Sequence, residues 1–370
     1  MLSILIAVSS RTDLLAECLA ALDRHMPGDV PYETIVVLNE IDPAVVQTLE
    51  SLHPRATFIR SPVNLGMAGS ANRARREASG RLLVTLHDDA TIEPGWAEAL
   101  VEAAERHPRA GAIGSKVLFP DGRLQSAGSI LWRSGVTTPP WSGQAPDESE
   151  IDAARPVDYC GTCALLVRAE VFDAIGGFDE TMYPAYFVDV DLGLAVRSQG
   201  YYVLCEPKSV IRHHRGASSG DVLKQVAWAR NRAYLLRKWA TALARQELEP
   251  QSGDPDAVSA AILQAASFAR DCEAGLARPM APDTSAVPRP AWADADEVER
   301  HCRLSLELHQ AIVAQLESLL EARADELARY RRMKVVRINS ALLAGRQALA
   351  ARIRRLAGLR RRVQWPVGDD

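Results

Sequence analysis

Apolar and polar positions change period repeatedly along the first half of the chain. SILIAV (3–8), TIVVL (34–38), ATFIR (56–60), RLLVTL (81–86) and AGAIGSKVLF (110–119) are short apolar runs that predict strands. Between them the spacing becomes helical. Residues 13–23 place Leu14, Leu15, Cys18, Leu19 and Leu22 on one face, and Val45, Val46, Leu49 and Leu52 mark a second helix. NLGMAGSANRARREASG (64–80) predicts a glycine-initiated helix, and residues 96–106 a fourth. Strands alternating with amphipathic helices predict a mostly parallel sheet covered on both faces.

From 121 to 156 the chain turns polar and rich in Gly, Pro and Ser, which predicts an irregular segment that orders around ligand. Strand character returns at CALLVR (163–168) and YYVLCE (201–206). Helices are expected from Ala169, over 187–200 with Asp189 and Asp191 near the start, and over 222–244. Past Glu249 the composition shifts to Ala, Asp, Pro and Gln, with a helix over 256–277 and a Pro-broken linker over 278–293. A long helix then begins at Glu297, with Leu304, Leu308, Ile312, Leu316 and Leu320 at three- and four-residue steps. It predicts either a helical hairpin against the body or a coiled coil that joins copies of the chain. The expected division is 1–248 as the α/β body, 249–293 as helix and linker, and 294–370 as long helix and tail.

Charge changes this picture at one end only. The net charge is −4, but 329–364 holds twelve Arg or Lys and no acid, leaving 31 basic against 47 acidic residues elsewhere. Leu342, Leu349, Ile353, Leu356 and Val363 share one helical face of that tail. Such a helix suits an anionic membrane surface or the acidic body, and it lacks the interleaved aromatics of a nucleic-acid platform. The opening MLSILIAVSSRTD reads as a strand rather than a leader, and no run reaches the ~20 apolar residues that cross a bilayer, so a cytoplasmic protein is expected. Six cysteines then read as reduced thiols, and Cys160 and Cys163, ahead of a strand-like ALLV, as small core residues rather than a zinc or redox pair.

The candidate chemistry begins at Asp88 and Asp89. Adjacent carboxylates at the carboxyl end of a buried strand lie where open α/β sheets place ligands, and their oxygens suit a hard divalent cation carrying phosphates. Turn residues and helix N-terminal charges give the same pattern without a ligand.

Seven segments together resemble glycosyltransferase family 2, with its GT-A fold: IAVSSR (6–11), IVVLN (35–39), NLGMAGSANRA (64–74), LHDDATIEPGW (86–96), VDYCGTCALLVRAEVFDAIGGFDE (157–180), YFVDVDLGLAVRSQGY (186–201) and SVIRHHRGAS (209–218). The resemblance implies an inverting, metal-dependent transfer of a sugar from a nucleotide diphosphate donor to a hydroxyl of a glycan or lipid-linked acceptor, as in rhamnosyltransferases. Cell-surface polysaccharide synthesis at the inner face of the membrane is the implied setting. It makes Asp89 and His213 ligands of Mn2+ or Mg2+, with the adjacent His214 not separable by spacing. Asp189 becomes the base that accepts the acceptor proton, with Asp191 as the alternative. Ser9, Ser10, Arg11, Asn39, Asn64, Gly66, Asn72 and Asp88 fall on the donor side, and Gly161, Thr162 and Asp191 on the acceptor side.

Three positions depart from the family. Leu38 stands where relatives carry an Asp that reads the nucleotide base, His87 replaces an acid beside the doublet, and Val188 replaces an acid before Asp189. The last leaves Asp189 in an apolar setting that raises its pKa. A non-catalytic scaffold of the same fold, assembling partners through its C-terminal helices, is the rival from another class. A nucleotidyltransferase would want a glycine-rich basic loop after the first strand, which AVSSRTD lacks.

Overall fold

A computed structural model describes residues 1–145, 151–214, 221–250, 255–283 and 296–332. The basic tail beyond Arg332 and residues 284–293 of the expected linker lie outside the described residues. In chain order the first half comprises β1 (Leu2–Val8), α1 (Thr12–His25), β2 (Tyr32–Asn39), α2 (Pro43–Leu52), β3 (Ala56–Ser61), α3 (Gly66–Arg75), β4 (Leu82–His87), β5 (Ala90–Ile92), α4 (Trp96–Arg106) and β6 (Ala110–Leu118). The second half adds β7 (Leu124–Ser126), β8 (Ile130–Leu131), β9 (Thr137–Thr138), β10 (Arg155–Val157), β11 (Ala164–Arg168), α5 (Ala169–Ala174), α6 (Val188–Ser198) and β12 (Tyr202–His213). Helices α7 (Asp221–Lys238), α8 (Ala240–Leu243), α9 (Pro255–Glu273) and α10 (Glu297–Arg332) follow.

The main sheet runs β10-β12-β6-β11-β4-β1-β2-β3. The pairs β1/β2, β2/β3, β1/β4 and β6/β12 are parallel, and β11 lies antiparallel between β4 and β6. The sheet is therefore mixed and mostly parallel, with helices on both faces. Strand β11 escapes the parallel rule because it is reached through the long 121–163 excursion rather than through a crossover helix. Along β1, Leu5 faces one core while Ile4 and Ile6 face the other, which explains why the strand is apolar at nearly every position.

Three expectations change. The 121–156 segment is not left to a ligand for its order. Among its described residues it forms β7 to β10, anchored by Leu124, Ile130, Trp132 and Ile151, all buried. The strand expected over 201–206 continues to His213, since Ile211, Arg212 and His213 pair with Ile92, Thr91 and Ala90 of β5. The helix expected over 222–244 breaks at Trp239, whose backbone leaves helical geometry while its buried indole reaches Asp191. Residues Met1–Ile312 form one compact unit, so α9 and the first turns of α10 pack with the α/β body. The described residues from Val313 to Arg332 fall outside that unit. Among the described residues no helix is long and apolar enough to cross a membrane.

Candidate active site

The parallel strands β1, β2 and β4 end on one edge of the sheet and deliver Ser9 to Arg11, Asn39, and His87 to Asp89 there. Strand β12 runs in the same direction two strands beyond β11, and its last residue, His213, pairs with Ala90. That register brings His213 Nε2 to 3.0 Å from Asp89 Oδ1 and 3.3 Å from His87 Nδ1, while His87 Nδ1 lies 3.9 Å from Asp89 Oδ1. These three atoms are the one group among the described residues that could hold a metal ion. The neighbouring His214 is exposed, and its backbone N–H donates to the Asp89 carbonyl at 3.1 Å.

The donor set fits a divalent cation. Ligands about 2.1 Å from a metal stand roughly 3–3.5 Å apart, and two imidazoles with one carboxylate on a single face form a familiar metal triad. Each imidazole has its far nitrogen engaged by protein: His213 Nδ1 by Gln125 Oε1 at 2.8 Å, and His87 Nε2 by Thr162 Oγ1 at 3.2 Å. Such outer partners fix the tautomer and leave the near nitrogens free to ligate. Burial opposes the charge on Asp89, but the His213 hydrogen bond and the two imidazoles outweigh it and hold the carboxyl below its ordinary value. Burial and the neighbouring His213 push the His87 imidazole down to about 4, so it is neutral and available at pH 7. Asp88 takes the opposite course: burial and the Asp89 charge raise it to about 7. Sequence reasoning treated His87 only as a missing acid, and it had no signal for Gln125.

Residues 161 and 162 join this cluster to Asp189. Thr162 bonds His87, and a Cβ placed on Gly161 would meet Asp189 Oδ2 at 4.0 Å. Asp189 is half-buried in the first turn of α6, and desolvation raises its carboxyl to about 6, as the apolar Val188 led us to expect. Its own Oδ1 accepts from the Val190 N–H at 2.9 Å, a local bond that leaves Oδ2 uncommitted among the described residues. Asp191 differs. It is buried, and its oxygens accept from Lys238 Nζ at 2.8 Å and Trp239 Nε1 at 2.6 Å, so it serves a buried ion pair shared with Asp179. Just ahead of α6, Tyr186 and Phe187 adopt φ of 72° and 65°. Left-handed backbone costs a side-chain-bearing residue roughly 1–2 kcal/mol, and such residues persist only where their surroundings hold them.

The remaining donor-side residues divide into two groups. Ser9 and Ser10 are exposed at the strand edge, and Arg11 is paired with Asp13 at 2.6 Å. Asn39, Asn64 and Asn72 are hydrogen-bonded within the protein around the loop that carries Gly66. Buried Asn39 donates to the Val8 carbonyl and Ser70 and accepts from the Leu65 N–H. Asn64 accepts from the Gly66 N–H, and Gly66 has φ +65° with Pro184 O 2.6 Å from any Cβ. Asn72 exchanges bonds with Phe178 and donates to Glu180. Together they shape the loop and first turn of α3 beside the strand edge.

Residues 3–176 match the sequence profile of the family described as Glycosyl transferase family 2. Asp189 and His213 lie beyond the matched residues. An uncharacterized protein, y4gI, of Sinorhizobium fredii is 28% identical over 259 residues, which cover 65% of this chain and 28% of that protein. The O-antigen biosynthesis protein RfbC of Myxococcus xanthus is 32% identical over 227 residues, 58% of this chain and 17% of RfbC. An N-acetylglucosaminyl-diphospho-decaprenol L-rhamnosyltransferase of Mycobacterium tuberculosis is 29% identical over 212 residues, 51% of this chain and 69% of that enzyme. The chain thus spans less than a third of the length of the first two.

Proposed function

We propose, on the premise that residues 3–176 belong to glycosyltransferase family 2, that this chain transfers a sugar from a nucleotide diphosphate donor to a hydroxyl of a glycan or lipid-linked acceptor, with inversion. The observation that carries this reading is the pairing of two carboxylate sites across Gly161 and Thr162: Asp89 with two imidazoles on one side, and an isolated Asp189 on the other. His87, Asp89 and His213 would hold Mn2+ or Mg2+. When bound, that ion supplies positive charge against the diphosphate leaving group.

The chain's own residues account for the rest. Asp189, with a pKa near 6 and a free Oδ2, accepts the proton of the attacking hydroxyl, a contribution of roughly 10²–10⁴-fold. Glycine at 161 leaves room for that hydroxyl beside Oδ2. Asp88, exchanging its proton near pH 7, faces the donor. Ser9, Ser10 and Arg11 offer hydroxyl and guanidinium donors at the exposed strand edge for the nucleotide.

The names of RfbC and of the rhamnosyltransferase support O-antigen-type polysaccharide synthesis, a deoxyhexose donor and a lipid-linked acceptor, which we place at a membrane surface. The basic segment 329–364 is proposed to attach the protein there. A panel of UDP-, GDP- and dTDP-sugars, screened for thermal stabilisation with and without Mn2+ and Mg2+, tests the reading. A preferred donor raises Tm only with cation, and Asp89→Ala abolishes the shift. An identical shift without cation, or in Asp89→Ala, contradicts it.

A further inference from the structure

We infer that α7 is the positioning element for Asp189, with Asn231 as its central residue and Trp228 as its outer support. The inference rests on the reading of Asp189 as the base. Residues 179–187, which lead into α6, contain one 3-10 turn (Glu180–Met182) and the two left-handed residues Tyr186 and Phe187, so their own backbone pairing cannot fix them. Helix α7 supplies most of the missing partners, with Met67 of α3 donating its N–H to the Pro184 carbonyl. Asn231, 1% exposed, places Nδ2 at 2.9, 2.8 and 3.0 Å from the carbonyls of Met182, Ala185 and Tyr186, so its two N–H groups are shared among three acceptors. Arg230 donates to the carbonyls of Thr181 and Tyr183. The Trp228 ring packs on Phe187 at 5.3 Å between centroids.

Further along the helix, Tyr234 and Lys238 both donate to Asp179 Oδ2 at 2.8 Å, and Lys238 also reaches Asp191 at the first turn of α6. Trp228, Asn231 and Lys238 recur at helical spacing and present one face to the segment. Its entry at Asp179 and its exit at Asp191 are thus held by one lysine, and the carbonyls of its middle by Asn231 together with the Met67 N–H of α3 on Pro184. Asp189 lies two residues past Phe187, so its aim depends on the backbone that Asn231 holds. Buried Asn231 shares its two N–H groups among carbonyls of this segment and makes no contact with the base itself.

The test uses the full chain and three variants: Asn231→Ala, Trp228→Ala and Asp189→Asn. Amide hydrogen exchange over 183–191, Mn2+ affinity by EPR titration, and kcat and donor KM for nucleoside diphosphate release from the UDP-, GDP- and dTDP-sugar panel are read for each. Asn231→Ala should exchange 183–191 at least tenfold faster with β1 and β4 unchanged. Its kcat should fall about 10²-fold while donor KM and Mn2+ affinity stay within about twofold, since an ångström of misplacement costs that much in rate. Trp228→Ala, at a side chain 42% exposed and therefore safe for folding, should lower kcat about tenfold with the same split. Parental exchange and kcat in both variants overturn the inference, and if Asn231→Ala does not fold, Trp228→Ala decides alone. Loss of kcat, donor affinity and Mn2+ affinity together would mark a general structural defect and also overturn it. Full turnover in Asp189→Asn would instead refute the base assignment, while the exchange result still decides whether α7 holds the segment.

Discussion

Asp189→Asn separates a catalytic carboxylate from a structural one, because the two roles move stability in opposite directions. Desolvation raises the Asp189 carboxyl from 3.8 to about 6. A group whose folded pKa lies above its unfolded value stabilises the fold while protonated, and that contribution fades as pH rises from about 4 to 6. Above that window the folded protein holds a disfavoured charge. A gap of about two pH units corresponds to roughly 3 kcal/mol, and partial solvent access reduces this to roughly 1–3 kcal/mol. Asparagine is nearly isosteric and uncharged, so the variant should be more stable than the parent by that amount at pH 8 and by little at pH 4. Urea denaturation at the two pH values reads the difference. Over the same range the parent's kcat/KM should fall about tenfold per pH unit below pH 6, as the base becomes protonated, and the variant should lose roughly 10²–10⁴-fold in kcat at pH 7.5. A variant that is less stable at pH 8, or that keeps parental turnover, refutes the reasoning.

Other consequences follow from the same geometry. Gln125→Ala frees His213 Nδ1 and should weaken Mn2+ binding by roughly 10–100-fold in calorimetric titration, while His87→Ala should weaken it further. Lys238→Met leaves the buried Asp179 and Asp191 carboxylates without their shared cation, and urea denaturation should show a loss of roughly 3–5 kcal/mol. A Cβ at Gly69 would lie 2.2 Å from His301 Nε2, so Gly69→Ala should cost about 1–3 kcal/mol, and adding His301→Ala should recover most of that loss.

Much of the body was legible because its strands are buried on both faces and so stand out as apolar runs. The acidic doublet was visible because it closes one of those runs. The rest of the site depends on pairings that local pattern does not encode. His213 and His214 became distinguishable only through the antiparallel register of β12 with β5, which turns the first inward and leaves the second exposed. Gln125 sat in a segment read as irregular, since β7 is three residues long and is defined by pairing with β6. Asn39 and Asn72 matched family positions, and their bonds to Leu65, Ser70, Phe178 and Glu180 are visible only in three dimensions. Helix α7 gave no sequence signal of function because Asn231, Tyr234 and Lys238, which bind the 179–191 segment, are interleaved with buried Ala227 and Leu235 of the apolar core.

The central claim is that His87, Asp89 and His213 grip the ion that neutralises a leaving diphosphate. A crystal of the full chain grown with Mn2+ and UDP, with diffraction collected at the manganese edge, addresses it most directly. The account predicts an anomalous peak among Asp89 and the two imidazoles, with diphosphate oxygens against it. A peak elsewhere, or diphosphate bound away from this edge of the sheet, would contradict the account.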